Sequence, residues 1–70
     1  MTKISINQQI DEVERELLYR QDVYARLVSS GKLRQSVADF QLDRMKAVLK
    51  TLQWLQTNEV RIKELLAECT

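Results

Sequence analysis

Gly31 is the feature that most constrains this chain, because it is the only glycine among 70 residues and proline is absent. Glycine adopts the left-handed conformation that ends a helix at little steric cost, and Leu33 is then placed to fold back over the helix end. Ser36, with Asp39 three residues later, is predicted to cap a second helix. The sequence therefore predicts an all-α fold, an antiparallel two-helix hairpin that turns once at Gly31.

The first predicted helix covers about residues 6–29. Ser5 and Gln8 have the spacing of a capping box, in which each side chain satisfies a free backbone amide. Arg20 interrupts an otherwise apolar seam, and we expect its aliphatic stem to lie along the seam while its charge reaches a carboxylate. The alternative is that Arg20 is a buried polar group that fixes the alignment of the helices or the number of chains in an assembly. The apolar members of the seam are Ile6, Ile10, Val13, Leu17, Tyr24, Leu27 and Val28.

The second predicted helix covers about residues 36–68, after a turn at 30–35, and the whole chain, residues 1–70, forms one domain. Thr57 and Asn58 are weaker helix formers, so a kink or a separate helix there is the alternative to a continuous helix. The apolar stripe is broader than the seam of the first helix. Its main members are Ala38, Met45, Val48, Leu52, Leu55, Ile62 and Leu66, widened by Leu42 and Leu49.

Antiparallel packing about Gly31 pairs residues whose numbers sum to about 65. This register predicts ion pairs from Glu16 to Lys50 and from Asp22 to Arg44, between the acidic first helix and the basic part of the second. Exposed pairs contribute about 0–1 kcal/mol each, but they disfavour parallel or slipped alternatives. The second helix is expected to extend about 10 Å beyond the first at 1.5 Å per residue.

Such a hairpin has a small interior, and chains below about 70–80 residues rarely obtain more than 3–5 kcal/mol from their core without disulfides, metal or oligomerisation. We therefore predict a homodimer, most simply a four-helix bundle. Phe40, Ala47 and Trp54 lie seven residues apart beside the main stripe, either as part of the dimer core or as a docking surface with Trp54 as anchor. The candidate interface residues are Tyr24, Val28, Phe40, Leu42, Leu49, Trp54 and Leu65.

Basic residues near the turn give an alternative function, nucleic-acid binding. Arg26, Lys32 and Arg34 form a basic tip, Lys46 and Lys50 follow on the second helix, and such side chains neutralise phosphates. Solvated loop residues are the simpler interpretation of the tip. The net charge of +1 and the lack of a compact recognition helix argue against nucleic-acid binding.

Catalytic residues are scarce in this sequence. It contains no histidine, no glycine-rich phosphate loop and no cluster of metal ligands, and Ser29, Ser30 and Ser36 are explained by the turn and the cap. A two-helix hairpin also offers no pocket for its carboxylates. We therefore expect no enzyme activity, no cofactor and no small-molecule substrate.

Cysteine usage and hydropathy bear on location. Cys69 is the only cysteine, so it cannot form an internal disulfide, and a reduced thiol is expected. The longest uncharged stretch, residues 51–58, is far shorter than the about 20 residues that span a bilayer. No signal peptide is recognisable, and the expected location is the cytoplasm.

The residues around the hinge also carry a resemblance, which covers about residues 10–55. They are Tyr24, Leu27, Val28, Gly31, Lys32, Leu33, Ala38, Asp39, Met45, Val48, Leu49, Thr51 and Leu52. This arrangement resembles small phage- and prophage-encoded helical-hairpin proteins of the kind found among lambdoid early genes. The resemblance implies a bacterial cytoplasmic setting and a part in host takeover or in the lysis–lysogeny decision, through binding of host or phage proteins.

In outline the chain is also similar to the plasmid copy-number hairpin, which dimerises into a four-helix bundle and binds paired RNA loops. The two share no residue motif, so this similarity concerns architecture only. The predicted function is a small non-enzymatic interaction or regulatory protein of phage origin. A nucleic-acid-binding hairpin and a purely structural assembly subunit are the alternatives.

Overall fold

The computed structural model describes residues 3–69, and the side chains of residues 3–67. It contains two helices, α1 (Ile6–Ser29) and α2 (Gln35–Cys69), which pack against each other along the length of α1. The molecule is elongated, with extents of 55 × 25 × 17 Å. The prediction of an all-α two-helix hairpin is confirmed. The side chain of Cys69, for which a reduced thiol was predicted, lies outside the described residues.

A reciprocal pair of hydrogen bonds fixes the start of α1. The backbone amide of Gln8 donates to Ser5 Oγ at 3.1 Å, and the backbone amide of Ser5 donates to Gln8 Oε1 at 2.9 Å. This is the predicted capping box, and it satisfies two amides that would otherwise lack a partner in the helix.

The turn at Gly31 ends α1 through a Schellman motif. Gly31 has a φ of 78°, its amide donates to the Val28 carbonyl at 3.0 Å, and the Lys32 amide donates to the Leu27 carbonyl at 2.9 Å. The backbone amide of Leu33 also donates to the Leu27 carbonyl, at 3.2 Å, and the residue Leu33 is half-buried. A Cβ atom at position 31 would meet nothing within 4 Å, so the backbone conformation, and not space, selects glycine here.

The predicted cap at Ser36 is wrong. Helix α2 begins at Gln35, and the carbonyl of Arg34 accepts the amides of Val37 and Ala38, both at 3.1 Å. Ser36 therefore lies inside the first turn. The carboxylate of Asp39 accepts a hydrogen bond from Gln35 Nε2 at 2.8 Å.

The interior of the hairpin is thin. Among residues 3–67 only Ile10 and Ala38 are buried, at 6% and 2% exposure. All other members of the predicted α1 seam are half-buried, which confirms that this face meets α2. Arg20 is half-buried in the same seam.

The face of α2 that meets α1 differs in part from the predicted stripe. Val48 and Leu55 are 49% and 37% exposed, whereas Leu42 and Leu49, predicted only to widen the stripe, are half-buried. Leu66, also predicted to lie on the main stripe, is exposed as well. The contact face therefore runs through Ala38, Leu42, Met45, Leu49 and Leu52, at alternating spacings of four and three.

Two side-chain hydrogen bonds between the helices confirm the predicted register. Tyr24 bonds to Gln41, and Asn7 bonds to Gln56, so the paired numbers sum to 65 and 63. Because Ile6, the first residue of α1, is level with position 57 in this register, α2 extends beyond α1 by roughly 18 Å at 1.5 Å per residue. This extension is longer than the predicted 10 Å.

Helix α2 is continuous through Thr57 and Asn58, so the alternative of a separate C-terminal helix is wrong. The hydroxyl of Thr57 donates to the Gln53 carbonyl at 3.0 Å, and Asn58 Nδ2 donates to the Trp54 carbonyl at 2.7 Å. Both side chains bond back to the carbonyl four residues earlier, an arrangement that side chains of this kind adopt in a helix interior.

The predicted ion pairs between the helices do not form in the described part of the chain. Glu16 pairs with Arg20 at 2.8 Å and Asp22 with Arg26 at 3.0 Å, each within α1, instead of with Lys50 and Arg44. Side chains four residues apart on one helix are already neighbours. Three of the five carboxylates of α1, those of Glu12, Glu16 and Asp22, are thus paired within their own helix.

Candidate interaction surface

Helix α2 presents a row of apolar side chains on the side that faces away from α1. We call Phe40, Ala47, Trp54 and Leu65 the outer row. Phe40 is 62% exposed, Trp54 59% and Leu65 49%, and Ala47 is exposed as well. Phe40, Ala47 and Trp54 are spaced seven residues apart, nearly two helical turns, so they lie on one face. Two large aromatic rings therefore remain outside the hairpin's own core.

Arg44 orients the first aromatic ring of the outer row. Its guanidinium carbon lies 5.7 Å from the centroid of the Phe40 ring, in the range of a cation–π interaction. The two residues are four apart on α2, where side chains of one helix meet. The contact restricts the Phe40 ring while leaving most of it exposed.

An open groove of about 360 Å³ lies beside the seam, where Arg20 of α1 meets α2. Arg20 Nε donates to Glu16 Oε1 at 2.8 Å, and this hydrogen bond raises the pKa of the guanidinium, so Arg20 stays charged. The side chain keeps 37% exposure, so the predicted stem along the seam with the charge at a carboxylate is confirmed. Within the single chain Arg20 is half-buried, and its alternative role in fixing the number of chains in an assembly stays a prediction. The α2 residues of the groove are Gln41, Arg44, Met45 and Val48.

The other candidate interface residues lie between the two helices. Tyr24, Val28, Leu42 and Leu49 are half-buried in the hairpin's own seam. The first three line a second open groove, of about 250 Å³. Their partly exposed edges are available to another chain, and their role in contacts between chains stays a prediction.

The basic residues are spread over the molecule. Arg26 pairs with Asp22, Lys32 lies in the turn, and Arg34 immediately precedes α2. Lys46 and Lys50 are exposed and lie roughly 18 and 24 Å further along the helix than Arg34, at 1.5 Å per residue. The structure does not gather these five side chains into one patch.

Two exposed side chains of α1 were not singled out from the sequence. Leu18 is 69% exposed and Tyr19 65%. Tyr19 lines a shallow groove with Arg15 and Glu16. Both fall outside the spacing of the seam, so the only signal in the sequence is an apolar or aromatic residue at a position predicted to face solvent.

Within the part of the chain that the structure describes, no three His, Cys, Asp or Glu side chains form a potential metal site. Over the same residues, neither helix contains a stretch long and apolar enough to cross a membrane. Comparisons of the chain with protein-family models, curated proteins and solved structures found no match.

Proposed function

We propose that this protein is a non-enzymatic interaction module that acts through helix-mediated contacts with protein surfaces, including its own. The observation that carries this proposal is the exposure of Phe40 and Trp54 on one face of α2. Regularly spaced aromatic side chains of this size are the residues that anchor protein interfaces. The outer row is the contact surface in this proposal.

The thin core supports association. Full burial of an isoleucine side chain contributes about 1.5–3 kcal/mol, and Ile10 is the only large side chain buried in residues 3–67. Stable domains reach about 5–15 kcal/mol of unfolding free energy. A partner that binds only the folded hairpin adds to that free energy by mass action, so association stabilises the fold.

Association of two hairpins through the outer row places the two α2 helices side by side, with one α1 helix on either side of them. The predicted four-helix bundle needs contacts from both helices of each hairpin, and it stays a prediction. In this proposal the protein is a regulator that works by docking to partner chains. Phage origin and a cytoplasmic location stay predictions from the sequence.

Sedimentation velocity over a range of concentrations tests the proposal. We expect the wild-type chain to sediment as a dimer, and a Phe40→Ser/Trp54→Ser double variant to sediment as a monomer. The matched control is Leu18→Ser/Tyr19→Ser, which removes two equally exposed side chains from α1 and is expected to leave the dimer intact. A wild-type chain that remains monomeric at high micromolar concentration would overturn the proposal.

A further inference from the structure

We propose that two copies of this chain pair antiparallel through the outer face of α2, with the two-fold axis at Ala47. This inference rests on the proposed function, because it assigns the partner and the geometry of the same surface. Three observations support it: the surface area of the single chain, the symmetry of the aromatic residues, and the placement of opposite charges about Ala47.

The surface area argues for a second copy as partner. The chain exposes 5996 Å², although a compact monomer of 8.3 kDa is expected to expose about 4,600 Å². The difference of about 1,400 Å² exceeds the about 800 Å² that each partner buries in a standard interface. A dimer that covers the outer face therefore removes surface that the hairpin alone leaves in water.

The aromatic residues are placed symmetrically about Ala47. Phe40 precedes it by seven residues and Trp54 follows it by seven. In an antiparallel pair with the axis at Ala47, Phe40 is level with the partner's Trp54, and the same contact repeats on the other side of the axis. The small side chain of Ala47 lets the two backbones approach at the axis. One aromatic pair then lies on each side of the axis, seven residues from Ala47.

The charges between the aromatic residues are complementary in the same arrangement. Asp43 lies four residues before Ala47 and Lys50 three residues after it, so an antiparallel pair brings Asp43 close to the partner's Lys50, twice. Parallel pairing in register would instead place each of these charges beside its own copy, which is unfavourable. In the described part of the chain, neither side chain has an ion-pair partner at 4.0 Å or less.

Charge reversal tests this pairing. Asp43→Lys and Lys50→Asp each create two like-charge contacts, and each is expected to raise the dimer Kd at least about tenfold. An equimolar mixture of the two variants and the Asp43→Lys/Lys50→Asp double variant both restore opposite charges, so both are expected to dimerise as the wild type does. Asp11→Lys, at an exposed position of α1 outside this contact, is the matched control and is expected to leave the Kd unchanged. Circular dichroism verifies that each variant is helical.

Cysteine cross-linking tests the orientation. In a Cys69→Ser background, Ala47→Cys places two thiols at the axis and is expected to give a disulfide-linked dimer on oxidation. Arg61→Cys, 14 residues away on the same face, is expected not to cross-link, because an antiparallel pair holds the two copies of this position far apart.

The outcomes separate this inference from the proposed function. A wild-type dimer whose Kd is unaffected by either single charge reversal, or in which Arg61→Cys cross-links as readily as Ala47→Cys, overturns the antiparallel pairing and leaves the interaction module standing. A wild-type chain that stays monomeric overturns both. Loss of dimer in the single variants with recovery in the mixture supports both.

Discussion

Tyr24 of α1 donates a hydrogen bond from its hydroxyl to Oε1 of Gln41 on α2, at 2.9 Å. This bond fixes the level at which the two helices pack near the turn, while the bond between Asn7 and Gln56 does the same near the other end of α1. Apolar contacts tolerate a small slide of one helix along the other, whereas a hydrogen bond is directional. The two bonds therefore define the register of the hairpin.

Removal of the Tyr24 hydroxyl tests this role. We expect Tyr24→Phe to lower the free energy of unfolding by about 0.5–1.5 kcal/mol, because one hydrogen bond between the helices is lost and the ring is kept. Urea unfolding followed by circular dichroism measures the change. Tyr19→Phe is the control, since Tyr19 is exposed on the far side of α1, and a loss of equal size there would contradict the prediction.

Substitution of Gly31 tests the turn. An L-residue pays about 1–2 kcal/mol to adopt the left-handed φ of 78°, so Gly31→Ala is expected to lower the melting temperature by several degrees. Gly31→Asn is expected to cost less, because asparagine tolerates this conformation. Lys32→Ala, at a neighbouring residue without a positive φ, serves as the control in thermal unfolding. Equal melting temperatures for all three variants would contradict the prediction.

The two serines at the helix starts are expected to differ. Ser5→Ala removes an observed capping box and is expected to destabilise the fold by about 0.5–2 kcal/mol. Ser36→Ala is expected to be neutral or slightly stabilising, because Ser36 lies within α2 and alanine favours a helix. Chemical denaturation of both variants gives the comparison. A larger loss for Ser36→Ala would show that α2 is capped as the sequence first indicated.

Ala38 is the most buried residue between positions 3 and 67, at 2% exposure. Enlarging it in Ala38→Leu is expected to cost about 1–3 kcal/mol through overpacking. Ala25→Leu adds the same atoms at an exposed position of α1 and is expected to be tolerated. Differential scanning calorimetry compares the two, and a stable Ala38→Leu variant would mean that the helices separate easily.

Local sequence signals predicted the ends of α1 correctly. Ser5 and Gln8 form their capping box within four residues, and Gly31 adopts the conformation that only glycine takes without strain. These features do not depend on how the helices pack. The start of α2 was predicted less well. The first hydrogen bonds of α2 are accepted by the backbone carbonyl of Arg34, and because every residue has such a carbonyl, the sequence does not indicate this position.

The rotation of α2 about its own axis could not be predicted from the sequence. Its apolar stripe is wide enough that either Val48 or Leu49 could face α1, and packing selects Leu49. The ion pairs were mispredicted for a related reason. Glu16 has Arg20 within reach on the same helix, so it needs no partner on the other helix.

The single turn at Gly31 also sets the order in which the chain can assemble. The hydrogen bond nearest the turn joins residues 17 positions apart, and the one at the far end joins residues 49 positions apart. Because the entropy cost of closing a loop grows with its length, the helices are expected to zip together from the turn toward the termini. Hydrogen exchange is then expected to be fastest at the open end, where α2 extends past Ile6, the first residue of α1.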